Sequence, residues 1–151
     1  MLRLPLLLAL PILLTGATKS STADITALLE CRQTRSGAET VRKGMKELTH
    51  SGDDISNSEI TYDVAKARPF GTSKPSLKLT QYENQFGALE LYRVVLNGKF
   101  EAVKQRMFEA HGASACTKSA AQSCTIDVGE ATAELTLEKN GELAFYCTYE
   151  D

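Results

Sequence analysis

The chain has 151 residues, 42% hydrophobic and 24% charged, with 19 acidic against 17 basic side chains and a net charge of −2. That length supports the core of one domain, not two. A weakly acidic chain lacks the basic footprint of a general nucleic-acid binder, so no nucleic acid is expected among its partners.

The first element is an export signal. Met1-Leu2-Arg3 is a short positive start, and Leu4 to Leu14 is an uncharged apolar run broken only by Pro5 and Pro11. Small and polar residues follow, which completes the three-part layout of a secretory signal. The run falls short of the roughly 20 apolar residues that a spanning helix needs, so no membrane anchor is expected after cleavage. A cut after Ala17 or after Ala23 fits the small-residue rule, and the helical pattern that begins at Asp24 favours Ala23. The expected division is a signal over residues 1–23 and one α+β domain over 24–151, of net charge −4. The place of work is then the periplasm or the secreted medium, and the absence of any Asn-x-Ser/Thr site leans towards a bacterial envelope.

Asp24 to Gln33 reads as a first helix on its stripe of Ile25, Leu28 and Leu29. A second helix is expected from a Ser36/Glu39 capping box, with Ala38, Val41, Met45 and Leu48 on one face. The period then changes to two. Ile60, Tyr62 and Val64 mark one strand, Leu77 to about Tyr82 a second, and Ala88 to Leu96 a third, with a turn over Glu83–Gly87. Between the first two lies Lys66–Lys78, which reads as an exposed loop with Phe70 at its tip. Phe100, Val103, Met107 and Ala110 recur at helical spacing before Gly112, so a third helix is expected over Lys99–His111.

A short strand over Thr125–Val128 leads to a C-terminal hairpin. A two-residue loop at Asn140-Gly141 would split the apolar residues between two faces. A three-residue loop, Lys139-Asn140-Gly141, sets Leu137 against Leu143, Leu135 against Phe145 and Ala133 against Cys147. Burial selects the second register, because a one-residue slip turns a whole face over. The expected fold is α+β: an antiparallel sheet of about five to six strands, with two N-terminal helices and one further helix on one face. No internal repeat is visible.

Cys31, Cys116, Cys124 and Cys147 form an even set, as in small exported domains braced by disulfides. Cys116–Cys124 with Cys31–Cys147 is the favoured pairing, and Cys31–Cys116 with Cys124–Cys147 remains open. Oxidation competes with a Cys–His nucleophile built on His111 and Cys116, and with a zinc site from His111, Cys116 and Cys124. No metal and no cofactor are expected. His50 and His111 are both placed at helix ends, and no G-x-S-x-G, H-E-x-x-H, P-loop or G-x-G-x-x-G pattern occurs. Asp53-Asp54 reads as a solvated turn.

Charge distribution is the surface feature above background. From Ile126 onward there are seven acids and one base, a sum of −6. The expected function is non-enzymatic: a protein-binding module, such as an inhibitor or immunity-type neutraliser of an envelope-acting enzyme or toxin. The expected partner is a basic protein, met by Glu134, Glu138 and Tyr146 on the hairpin and by Phe70 on the loop. Two alternatives remain: a small envelope hydrolase using His50 or His111, and a ligand carrier with a cavity lined by Leu89, Val94 and Phe100.

Overall fold

A computed structural model describes residues 18–52, 57–73, 75–84 and 87–150. The apolar run Leu4–Leu14, Asp53-Asp54, Lys74, the turn tip Gln85-Phe86 and Asp151 lie outside the described residues.

The chain opens with α1 (Thr22–Leu29) and α2 (Arg35–Lys43). Ser21 caps α1 by accepting the Asp24 N–H at 3.0 Å. Thr34 caps α2 by accepting the Gly37 N–H at 3.1 Å. The expected Ser36/Glu39 box is therefore replaced by a cap two residues earlier. The second helix also stops sooner than its apolar pattern suggests. It ends at Gly44, where only glycine fits, because a Cβ would lie 2.4 Å from Ser20 Oγ and 2.6 Å from the Thr18 carbonyl oxygen. The N-terminal segment crosses Gly44 at that point, with the Ser20 N–H donating to the Gly44 carbonyl at 3.2 Å.

Eight strands follow rather than five or six. They are β1 (Glu47–Ser51), β2 (Asn57–Tyr62), β3 (Ser76–Asn84), β4 (Gly87–Leu96), β5 (Lys118–Ala120), β6 (Ser123–Val128), β7 (Ala131–Leu137) and β8 (Leu143–Glu150). A 3-10 turn, η1 (Pro69–Gly71), interrupts the path from β2 to β3, and α3 (Phe100–His111) separates β4 from β5. The two strands absent from the sequence expectation are β1 and β5. Both are exposed along their whole length. Neither presents the alternation of apolar and polar residues that identifies a half-buried strand.

All eight strands form one antiparallel sheet in the order β1-β2-β3-β4-β8-β7-β6-β5. A four-stranded meander led by helices occurs twice, and the last strand of each pairs centrally as β4 with β8. The element order thus repeats where the residues do not. Across six strands, Ile60, Leu79, Tyr92, Cys147, Ala133 and Ile126 stand side by side, and every one is at most 4% exposed. The helices cover this face. Cys31, just after α1, is bonded to Cys147, the Tyr149 hydroxyl donates to the Gln33 carbonyl at 2.7 Å, and α3 buries Val103 and Met107.

Both favoured disulfides are present, Cys31–Cys147 and Cys116–Cys124. The first closes a separation of 116 residues and the second one of 8. In the chain-entropy picture these contribute about 5 and about 2.5 kcal/mol. The hairpin adopts the three-residue loop, with Leu137 opposite Leu143, Leu135 opposite Phe145 and Ala133 opposite Cys147. Gly141 supplies the left-handed residue at φ +85°.

Phe70 departs from expectation. The loop that carries it is folded into the core, with Ala67, Pro69, Phe70 and Thr72 all buried. Phe70 is 4% exposed and meets Phe145 edge to face at a centroid distance of 4.9 Å. Its backbone takes φ +51°, uncommon for a side-chain-bearing residue. The Glu30 carboxylate holds it there by accepting the Phe70 N–H at 2.7 Å, while Arg106 donates to the Phe70 carbonyl at 2.7 Å. Phe70 is therefore a core residue and not the exposed tip that its loop sequence suggests. Apolar residues in an irregular segment carry no period, so nothing local distinguishes a solvent loop from one that plugs the core.

Candidate functional site

The helices cover one face of the sheet, and among the described residues no helix covers the opposite, open face. The row beside the buried one reads Thr61, Lys78, Arg93, Tyr146, Glu134 and Thr125, all half-buried. The next row runs Glu59, Thr80, Leu91, Thr148, Thr132 and Asp127. Strand parity places each of these side chains away from the core.

Arg93 organises the centre of this face. It donates to both carboxylate oxygens of Glu138, at 3.3 and 2.6 Å, and to Glu142 at 2.8 Å. Its Nε also reaches the Tyr146 hydroxyl at 3.3 Å, and that hydroxyl donates to Glu138. The hydrogen bond from Arg93 is the main reason that the carboxyls of Glu138 and Glu142 lie below the usual range. The same bonds hold the guanidinium above its ordinary value. Burial, then the bond to Glu138, raises the Tyr146 phenol. Tyr146 is thereby fixed in orientation, an aromatic with little rotamer freedom left to lose on contact.

The acids divide into two kinds. Glu138 and Glu142 share the single positive charge of Arg93, which leaves that cluster at −1, and Glu59 is paired with Lys78 at 2.6 Å. Glu134 accepts only the Ser123 hydroxyl at 3.1 Å. Among the described residues, Asp127, Glu134 and Glu150 form no ion pair. Unpaired negative charge therefore gathers on β6, β7 and the end of β8.

Glu134, Glu138 and Tyr146 share the open face, as the hairpin register required. Glu138 is not a free acid, however, and Phe70 is on the far side of the sheet, packed on buried Phe145. Sequence reasoning missed Arg93. Its alternation with Tyr92 and Val94 assigns it to the polar face, but its alignment with Tyr146 depends on the β4–β8 pairing, made across 53 residues of chain. No local pattern encodes that partner.

The remaining candidates are separated. His111 is at the end of α3, and its Nε2 lies 2.7 Å from the Glu30 carbonyl oxygen. Burial pushes its pKa down. His50 is on the exposed edge strand β1 instead of at a helix end, 3.9 Å from the Glu47 carboxylate. Cys116 and Cys124 are bonded to one another, and no group of three potential metal ligands occurs among the described residues. Leu89 is on the open face while Val94 is on the helix face, so the cavity expected between Leu89, Val94 and Phe100 does not form.

A second polar cluster lies beneath α2. Arg42 lies against the Tyr62 hydroxyl there, with the Tyr92 hydroxyl and Glu90 buried beside them. Burial is the first cause raising both phenols above their usual value. Beside it, Glu90 also accepts the Gln81 amide at 3.2 Å.

No protein-family model matches the chain, and neither a curated protein nor a solved structure does. What the fold defines is a class: a disulfide-braced α+β domain with one helix-covered and one open sheet face.

Proposed function

We propose that the chain is an exported protein-binding module, of the inhibitor or immunity type, which docks its partner on the open sheet face. The observation that carries this reading is the Arg93–Glu138–Tyr146 network at the centre of that face, beside the unpaired acids Asp127, Glu134 and Glu150. A preordered aromatic costs little entropy to engage, and aromatic anchors carry much of an interface's energy. Unpaired acids favour a basic partner and raise the rate of encounter.

Two disulfides support a place outside the reducing cytoplasm, and no helix among the described residues is long and apolar enough to cross a membrane. The fold also bears on where the signal is cut. Ser20 and Ser21 are bonded into the domain, so removal of residues 1–17 keeps the α1 cap and removal of 1–23 destroys it. We therefore place the cut after Ala17.

The experiment is capture from envelope extracts in three parallel arms: the wild-type protein, Tyr146→Ala, and Glu109→Lys on exposed α3. A protein held by the wild type and by Glu109→Lys, and lost by Tyr146→Ala, is the expected result. One held equally by all three would count against the open face.

A further inference from the structure

On the helix side, remote from the open face, a cleft of about 290 Å³ lies between the start of α1, the α2–β1 turn and the segment after β2. Its floor is apolar, made by Ile25, Met45, Val64 and Ala67. Exposed Lys19, Lys46 and Lys66 stand round it, with Asp63 the sole acid in its lining. The walls are held by backbone bonds that do not involve these side chains. The Ser20 N–H donates to the Gly44 carbonyl at 3.2 Å, and the Asp63 N–H to the Lys46 carbonyl at 2.9 Å. The concavity is thus preformed, with a net charge of +2 on a chain whose net charge is −2.

We propose that this cleft binds a single-chain anionic amphiphile: the carboxylate of a medium-length fatty acid among the lysines, its acyl tail over Ile25, Met45 and Val64. Charge complementarity selects the anion, and the lysine stems extend the apolar floor while their ammonium heads stay in water. An acyl tail brings no hydrogen-bonding groups onto an apolar floor. A peptide terminus would bring amides that need partners there. The volume falls just below the roughly 300–1,000 Å³ typical of ligand pockets, which favours one short chain over a large lipid. This proposal is independent of the docking face and rests on the cut after Ala17, which keeps Lys19 and Thr22 in the protein.

The test is titration of the purified protein with decanoate below its micelle concentration, followed by calorimetry and by amide chemical shifts. Decyltrimethylammonium, which has the same tail and the opposite head, serves as the comparison. Saturable decanoate binding is expected, with shifts centred on Ile25, Met45 and Val64. The double variant Lys46→Glu/Lys66→Glu should weaken it about tenfold, two exposed charge contacts' worth. Thr22→Trp, a substitution at the exposed mouth, should weaken it without changing charge. Absence of saturation, equal binding of the cationic amphiphile, or shifts centred on the open sheet face would overturn the proposal.

Discussion

Arg93 and Glu138 form a two-pronged ion pair that reaches over β8. Arg93 is on β4 and Glu138 follows β7, with β8 between them in the sheet order. Ala144, on the open side of β8 and paired with Val95 and Thr136, is 0% exposed despite facing away from the core. Ala144 is thus buried on the same face that carries the bridge. The centre of the open face is therefore a built surface instead of a loose set of polar side chains.

Arg93→Ala should cost about 1 kcal/mol, the upper range for partly exposed ion pairs, because several bonds are lost together. It should also change the response to acid. The Glu138 and Glu142 carboxyls lie below their ordinary pKa in the fold. Their contribution is therefore present above the ordinary carboxylate pKa and is lost as pH falls through the depressed value. Urea unfolding at a series of acid pH values should show a shallower decline for Arg93→Ala than for the wild type.

Glu30 is the main polar tie between α1 and the η1 turn. It is 8% exposed and accepts the Phe70 N–H and the Arg32 guanidinium, each at 2.7 Å. Glu30→Ala should destabilise by about 2–4 kcal/mol, since it leaves a buried N–H unpaired and frees a strained backbone. Glu30→Gln keeps an acceptor and should cost about half as much or less. Chemical denaturation of both variants checks this. Equal losses would mean that the carboxylate acts through Arg32 rather than through Phe70.

His111 should tilt the stability profile nearer neutrality. Burial, opposed in part by its bond to the Glu30 carbonyl and helped by nearby Arg32, lowers its pKa. Protonation is thus easier in the unfolded chain. The stabilising contribution is complete above the ordinary histidine pKa and is lost as pH falls through the lowered one. Unfolding free energy should drop between about pH 7 and pH 5. His111→Gln retains an N–H donor for Glu30 and should remove that slope. An unchanged slope would place its origin elsewhere.

N-terminal sequencing of the exported protein should begin at Thr18. A version starting at Asp24 loses the Ser21 cap and both Ser20 bonds, and should be less stable than one starting at Thr18 by roughly 1–3 kcal/mol. Equal stability of the two would remove the structural case for the earlier cut.

Much of this architecture was legible wherever one face of an element is buried. The hairpin register followed from Leu135, Leu137, Leu143 and Phe145 alone, and α3 from Phe100, Val103 and Met107 with Gly112 as its stop. The short Cys116–Cys124 loop favoured the observed disulfide pairing but left the alternative open. What escaped notice lacked either a period or a local partner. Exposed β1 and β5 have no alternation, and Phe70 enters the core from irregular backbone. The open face was half legible. Tyr146 and Glu134 were placed by parity, but Arg93 joins them only through the pairing of β4 with β8.

The docking claim is tested most directly by binding kinetics against the captured partner, using Tyr146→Ala, Glu134→Lys and Glu109→Lys, each verified as folded. Tyr146→Ala should raise the dissociation rate by about tenfold or more, as loss of a central aromatic does. Glu134→Lys should slow association at low salt, and the difference should close as screening shortens the reach of charge. Glu109→Lys, on the helix side, should change neither rate. Wild-type kinetics for both open-face variants, or a loss confined to Glu109→Lys, would contradict the account.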